Sequence, residues 1–309
     1  MEKASKIYVA GHRGMVGSAI VRRLQQTGYS NILTRTRNDL NLLNQQAVYD
    51  YLRVEKPRFI FIAAARVGGI QANNTFRGQF IYENLVIAAN LIHGAYQAGI
   101  NHLCFLGSSC IYPRDCPQPI QEEYLLTGPL EETNRPYAIA KIAGIELCES
   151  YNRQYGTHYI SVMPTNLYGP NDNYDLETSH VLPALIRKAH EAKVQGKSHL
   201  VVWGTGTPRR EFLYVDDLAE ACVFLMERNS TGSLVNIGTG EDVTISELAH
   251  TVASVVEFNG DIRFDADMPD GTPRKLLCID RIKNWGWTPK TPLKVGIYLA
   301  YQDFLAKLK

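Results

Sequence analysis

Ile7-Tyr8-Val9-Ala10-Gly11-His12-Arg13-Gly14-Met15-Val16-Gly17 decides the fold of this chain. Four apolar residues predict a buried strand, and Gly11 ends it. Helical spacing then runs from Val16 to Gln26, and Gly28 stops it. Between strand and helix, glycines recur every third residue. They allow a tight turn, a close approach of backbone to a pyrophosphate, and close packing of helix on strand. A purely structural turn would use the same glycines, but their place between a first strand and a first helix favours a nucleotide.

The pattern repeats outward from this turn. Asn31 to Thr34, Arg58 to Ala63, His102 to Leu106 and Tyr159 to Met163 read as strands. Gln45 to Val54, Gln79 to Ala98 and Tyr137 to Tyr155 read as helices between them. Short apolar strands alternating with helices predict an α/β fold, a Rossmann-type doubly wound parallel sheet covered on both faces. Beyond Tyr168 the regularity weakens. Gly169 to Ser179 reads as a loop, and Val181 to Ala192, Asp216 to Arg228 and Thr244 to Val256 as helices. Leu200 to Trp203 and Leu234 to Ile237 read as strands. The expected division is a nucleotide-binding domain over 1–168, with 212–237 returning to it. A smaller mixed α/β C-terminal substrate lobe is expected over 169–211 and 238–309.

Bulk properties narrow the function. The 309 residues are long enough for a substantial core, and a net charge of +1 gives no global attraction to nucleic acid or membrane. The six cysteines form no C-x-x-C pair and no metal-ligand spacing, so no metal is expected and they read as reduced thiols of a cytoplasmic protein. The polar start, Met1 to Lys6, does not read as a signal peptide. No apolar run reaches the roughly 20 residues needed to span a bilayer.

The end of the second strand bears on the cofactor. NAD sites commonly carry an acid there, bonded to a ribose hydroxyl. This chain reads Leu33-Thr34-Arg35-Thr36-Arg37-Asn38-Asp39. Arginines stand where an acid would repel the additional phosphate of NADP, and Arg13 and Arg37 are the candidates to bind it. Asp39 is near enough to keep NAD open, and either arginine could be a solvated loop residue.

Tyr137-Ala138-Ile139-Ala140-Lys141 places a phenol and an ammonium on one helix face. The ammonium would favour phenolate, and a serine such as Ser108 would hold a carbonyl oxygen against the phenol. Cys110 is open to three readings: nucleophile, acid/base, or packed thiol. His180 at a helix start reads as a cap or surface residue unless the fold brings it opposite Cys110. Trp203, Arg210 and Lys188 suit a charged, planar ligand, with core packing the alternative for Trp203. Pro164, Thr165, Asn166 and Leu167 follow a strand at the sheet's carboxyl edge, where ligands bind, or else they cap a turn.

These residues resemble the extended short-chain dehydrogenase/reductases that act on nucleotide sugars. The resemblance is carried by Gly11 to Ser18, Gly107-Ser108-Ser109-Cys110-Ile111-Tyr112-Pro113, Pro136 to Tyr155, Ser161 to Pro170, Val202 to Asp217, and Pro269-Asp270-Gly271-Thr272-Pro273-Arg274-Lys275. It implies NADPH-dependent 3,5-epimerisation and 4-keto reduction of GDP-4-keto-6-deoxy-D-mannose to GDP-L-fucose, by a homodimer. The family alternative is another GDP-keto-sugar, of colitose or deoxyheptose type; a non-catalytic NADP-binding protein is the reading from another class. In the implied roles, Cys110 and His180 are the base and acid at C3 and C5. Tyr137 protonates the C4 oxygen, Ser108 bonds that oxygen, and Lys141 lowers the tyrosine pKa, with positive charge lowering that of Cys110. The cofactor would touch Gly11, His12, Arg13, Gly14, Met15, Val16 and Gly17, then Arg37, Asn38, Asp39, Leu40, Asn41 and Leu42. It would also touch Leu106, Gly107, Ser108, Ser109, Tyr137, Lys141, Pro164 to Leu167, and His180. Asn166, Lys188, Trp203, Arg210, Asp270 and Lys275 would bind the sugar nucleotide. Lys188 stands where this family would place a second arginine, so the bidentate fork is missing there.

Overall fold

The computed structural model describes residues 1–228, 234–268 and 270–308. Its first part alternates strand and helix: β1 Ile7–Ala10, α1 Met15–Gln26, β2 Ile32–Leu33, α2 Gln45–Glu55, β3 Phe59–Ile62, α3 Ile70–Thr75, α4 Arg77–Gln97, β4 His102–Leu106, α5 Arg135–Tyr155 and β5 His158–Pro164. The second part holds β6 Asn166–Tyr168, α6 Val181–Val194, β7 His199–Trp203, β8 Arg209–Arg210, β9 Phe212–Tyr214, α7 Val215–Arg228, β10 Leu234–Ile237, β11 Val243–Thr244, α8 Ile245–Val256, β12 Asp261–Asp265, β13 Arg274–Lys275, α9 Asp280–Asn284 and α10 Leu293–Lys307.

Six strands form one parallel sheet in the order β10-β5-β4-β3-β1-β2. Strands β1 and β3 are buried at every residue, because helices cover both faces. The predicted Rossmann-type architecture is therefore present. The order runs one way from β1 through β3, β4 and β5 and the other way to β2, so β1 and β3 flank the point where connections diverge. Ligands of such sheets bind at the strands' carboxyl ends near that point.

The buried apolar residues form two clusters. One surrounds the sheet, from Ile7 and Phe61 to Leu218 and Val235. The other gathers Leu185, Ile186, Leu248, Val252, Ile297 and Phe304 from α6, α8 and α10. Three pairings escaped the sequence reading, among them the parallel pair β12 and β7. Strand β6 pairs in parallel with β9, and a three-stranded sheet β11-β8-β13 joins segments far apart in the chain. Helices α3, α9 and α10 were also unpredicted. The six-residue α3 is too short for a clear period, and α10 packs through Gly296, Ile297, Ala300, Tyr301 and Phe304 without a clean apolar stripe.

Candidate active site

The three glycines of the turn differ in what a side chain at each would meet. At Gly11 (φ +86°) a Cβ would stand 2.7 Å from the Ala64 nitrogen, and at Gly17 it would stand 2.1 Å from the Gly11 carbonyl oxygen. Those two glycines serve internal packing. Gly14 is different: it is exposed, and its nearest neighbour would be 3.5 Å away. Its bare backbone opens outward at the N-cap of the twelve-residue α1, which has no side-chain cap and no acid in its first turn. The free N–H groups and the positive helix end fit a pyrophosphate. Nearby, the His12 Nδ1 atom is buried without a partner.

Arg13 and Arg37 are exposed and make no ion pair among the described residues. Arg35, by contrast, pairs with Glu55 at 3.1 Å and lies over the Tyr51 ring. Asp39 accepts from the Thr36 amide at 3.0 Å and hydroxyl at 2.7 Å, so its carboxylate is committed to a local turn. Two unpaired guanidiniums and an occupied acid fit an NADP phosphate better than a bare ribose. Asn38 and Asn41 are exposed beside them, Leu40 is buried, and Leu42 is half-buried with its carbonyl held by Asn90 at 2.8 Å.

The residues after β4 and β5 form the floor. Gly107 is packed so tightly that a Cβ would lie 2.2 Å from the Met163 methyl carbon, bringing the two loops together. Leu106 and Ser109 are buried. Ser108 caps a short 3-10 turn, Ser109–Ile111, with its hydroxyl 3.4 Å from the Cys110 amide. Lys141 is buried on α5, and its ammonium donates to the Leu106 carbonyl at 2.6 Å while lying 5.7 Å from the Tyr137 ring centre. Phe80 packs edge-on against Tyr137.

Electrostatics corrects two expectations. Burial pushes the Tyr137 phenol well up, with Cys110 adding to the rise. The nearby Lys141 does not reverse that rise, and burial pulls Lys141 itself down to about 8. Burial likewise raises the Cys110 thiol and outweighs the lowering by Lys275, the Ser108 hydroxyl and Lys141. Desolvation of a charge deep in protein exceeds what those neighbours return.

His180 is the N-cap of α6 by backbone, but its ring makes no cap bond. His180 is exposed, as the surface reading expects, yet protein packed around the ring, then Lys275, lowers its pKa. Lys275 is thus a common neighbour of Cys110 and His180, and of Arg210. The histidine and cysteine side chains therefore both lie within electrostatic reach of one ammonium.

Lys188 on α6, Trp203 at the end of β7, Arg210 on β8 and Asp270 before β13 are the remaining substrate candidates. Trp203 is 57% exposed, so core packing is excluded for it. The Lys188 ammonium lies 4.9 Å from its ring centre. Arg210 donates to the Arg209 carbonyl at 2.8 Å and feels Asp270. Asp270 itself accepts from the Thr205 amide at 2.7 Å and hydroxyl at 2.8 Å, closing the turn at Gly204. Its neighbour Pro269 lies outside the described residues.

Thr165 and Asn166 do not cap a turn: both donate to the Glu211 carbonyl, at 3.3 and 2.8 Å. Pro164 is buried at the end of β5, and Leu167 is half-buried in β6. Glu211 was missed in the sequence. It is fully buried, and its carboxylate accepts from the amides of Thr239 (2.6 Å), Gly240 (2.8 Å) and Leu277 (3.0 Å). A single glutamate after two arginines looks like a solvated charge, and only the fold reveals its three backbone donors.

A doubly wound sheet with a Ser-Tyr-Lys floor and an open glycine cradle defines a nucleotide-dependent sugar-modifying class, and the family model "NAD dependent epimerase/dehydratase" matches residues 7–238. The chain belongs to that family. It is 56% identical over 304 residues to GDP-L-fucose synthase 1 of Arabidopsis thaliana, covering 98% of this chain and 94% of the relative. GDP-L-fucose synthase of Escherichia coli strain K12 is 54% identical over 309 residues, covering 97% of this chain and 96% of the relative. The solved structure of a GDP-mannoheptose C4 reductase from Campylobacter jejuni with NADP bound superposes with a TM-score of 0.91 at 38% identity, covering 99% of each chain.

Proposed function

We propose that this chain converts GDP-4-keto-6-deoxy-D-mannose to GDP-L-fucose with NADPH, by epimerising C3 and C5 and reducing C4. The observation that supports the reading is that Lys275 acts on both Cys110 and His180, while Cys110 is also a neighbour of Ser108 and Tyr137. A C4 reductase alone has no need of the first pair. GDP-L-fucose synthases of plant and bacterial origin at 54–56% identity support the same assignment.

The Gly14 cradle, Arg13 and Arg37 would hold NADPH, which when bound would supply a hydride for C4. The substrate's 4-keto group acidifies the C–H bonds at C3 and C5. One of the Cys110–His180 pair takes a proton from carbon, the C4 oxygen carries the enolate charge, and the other returns a proton to the opposite face. Ser108 and Tyr137 donate to that oxygen throughout. Burial raises the Cys110 thiol and the surroundings of His180 lower its imidazole, so the transferable proton starts on Cys110. Cys110 acts as base only after releasing that proton, and Lys275 and Lys141 favour the resulting thiolate. After epimerisation Tyr137 gives its proton to the C4 oxygen, and the Lys141 charge stabilises the phenolate left behind. Lys188, Trp203 and Arg210 hold the diphosphate end.

Two core clusters support a division into a nucleotide domain (1–168 with 212–237) and a substrate lobe (169–211 with 238–309), although Leu277, Ile279, Ile282 and Trp287 pack with the first cluster and Tyr168, Phe212 and Tyr214 with the second. Exposed Tyr82, Ile139 and Tyr155 on the packed pair α4 and α5 favour a homodimer through that face. Six free cysteines and no disulfide among the described residues favour the cytoplasm.

The likeness to a GDP-mannoheptose reductase favours one alternative, reduction of another GDP-keto-sugar. Incubation with NADPH in heavy water and a panel of GDP-4-keto sugars, with NMR of products, decides. GDP-L-fucose deuterated at C3 and C5 is expected. Reduction without inversion, or preference for a heptose, overturns the assignment, and preference for NADH overturns the Arg13/Arg37 reading.

A further inference from the structure

The turn that carries Cys110 is only three residues long, and the hydrogen bond at its start is long. Its other end continues into Tyr112, which is 3% exposed and whose hydroxyl donates to the Asn236 Oδ1 atom at 2.6 Å. Asn236 is fully buried on the edge strand β10. An amide there is costly unless every polar group is met. Its Nδ2 donates to the Ile120 carbonyl at 2.9 Å, and its backbone amide donates to the Glu122 carboxylate at 3.0 Å. Ile120 in turn donates its amide to the Leu276 carbonyl at 2.7 Å and accepts from the Cys278 amide at 2.8 Å. This buried chain of bonds therefore connects the Cys110 turn to the strand end that bears Lys275.

We propose that Tyr112 and Asn236 are positioning residues for epimerisation, fixing the Cys110 turn relative to the segment that carries Lys275. The inference deepens the proposed function and rests on it. Both residues are buried away from solvent, so their action is through Cys110. The C4 step depends on Tyr137, Ser108 and Lys141, and Tyr137 and Lys141 lie on α5, outside this chain of bonds. A loss confined to C3 and C5 distinguishes positioning from general structural support.

The test is Tyr112→Phe, which removes one hydroxyl and keeps the ring, with Asn236→Ser as a second route to breaking the same bond. Wild type and variants are assayed in heavy water with GDP-4-keto-6-deoxy-D-mannose for deuterium uptake at C3 and C5. The C4 half is assayed separately, as NADP-dependent oxidation of GDP-L-fucose. Expected is a loss of about tenfold in uptake, the cost of a misplaced group, with the C4 half within about twofold of wild type. Equal loss in both halves, or no change in either, overturns the inference. Iodoacetamide labelling of the Cys110 peptide against pH, read by mass spectrometry, needs no sugar substrate. If wild type acts on neither sugar, the proposed function fails; a Cys110 profile displaced in Tyr112→Phe still supports the positioning, and an unchanged profile overturns it.

Discussion

The Lys141 ammonium gives its hydrogen bond to the Leu106 carbonyl at 2.6 Å while lying 5.7 Å from the centre of the Tyr137 ring. A buried ammonium pulled down to about 8 from 10.5 makes folding pH-dependent with a definite sign. Between those values the unfolded chain holds the proton and the folded chain does not, so stability rises with pH. Lys141→Met lacks this titration. The stability of wild type minus that of the variant should increase by about 2–3 kcal/mol between pH 7 and pH 10.5, measured by urea melts. A flat difference would mean that Lys141 is not desolvated.

Tyr137→Phe removes the proton donor to C4 and leaves the ring packed edge-on against Phe80. Reduction should fall by about 100-fold or more, with NADPH affinity within about twofold by fluorescence titration. Cys110→Ser should have the reverse profile, with deuterium uptake at C3 and C5 lost and the C4 half largely kept. Undiminished uptake would remove Cys110 from the chemistry.

Gly14 and Gly17 separate ligand from scaffold. A methyl at Gly17 would lie 2.1 Å from the Gly11 carbonyl oxygen, so Gly17→Ala should cost about 2 kcal/mol or more in thermal unfolding. At Gly14 nothing stands nearer than 3.5 Å, and Gly14→Ala should fold normally. Its NADPH dissociation constant should rise about tenfold, because the methyl would occupy the space that the pyrophosphate needs. Unchanged affinity by calorimetry would place the pyrophosphate elsewhere.

Asp172 lies in the loop that leads to His180, and its Oδ2 atom is buried without a partner. Burial pushes its carboxyl from 3.8 up to about 7. The folded chain therefore holds a proton that the unfolded chain releases, and this group's contribution to stability is lost as pH rises from about 4 to about 7. Asp172→Asn should be more stable than wild type by about 2 kcal/mol at pH 8, with the gap closing near pH 4. A constant gap in pH-dependent melts would contradict this assignment.

The sequence alone determined the features whose causes are local. The turn at Gly11, Gly14 and Gly17 needs backbone freedom between a strand and a helix, and Tyr137 and Lys141 share a face because a helix repeats every 3.6 residues. The alternation of apolar strands with helices likewise determined the parallel sheet. Burial depends on segments brought together from across the chain, so only the tertiary structure decided its consequences. It left Trp203 in solvent, committed Asp39 and Asp270 to turns, and buried Glu211 against three backbone amides. It also reversed the expected shifts at Tyr137 and Cys110. The sign of such a shift is set by competition between desolvation and neighbouring charge, and both depend on how much protein surrounds the group.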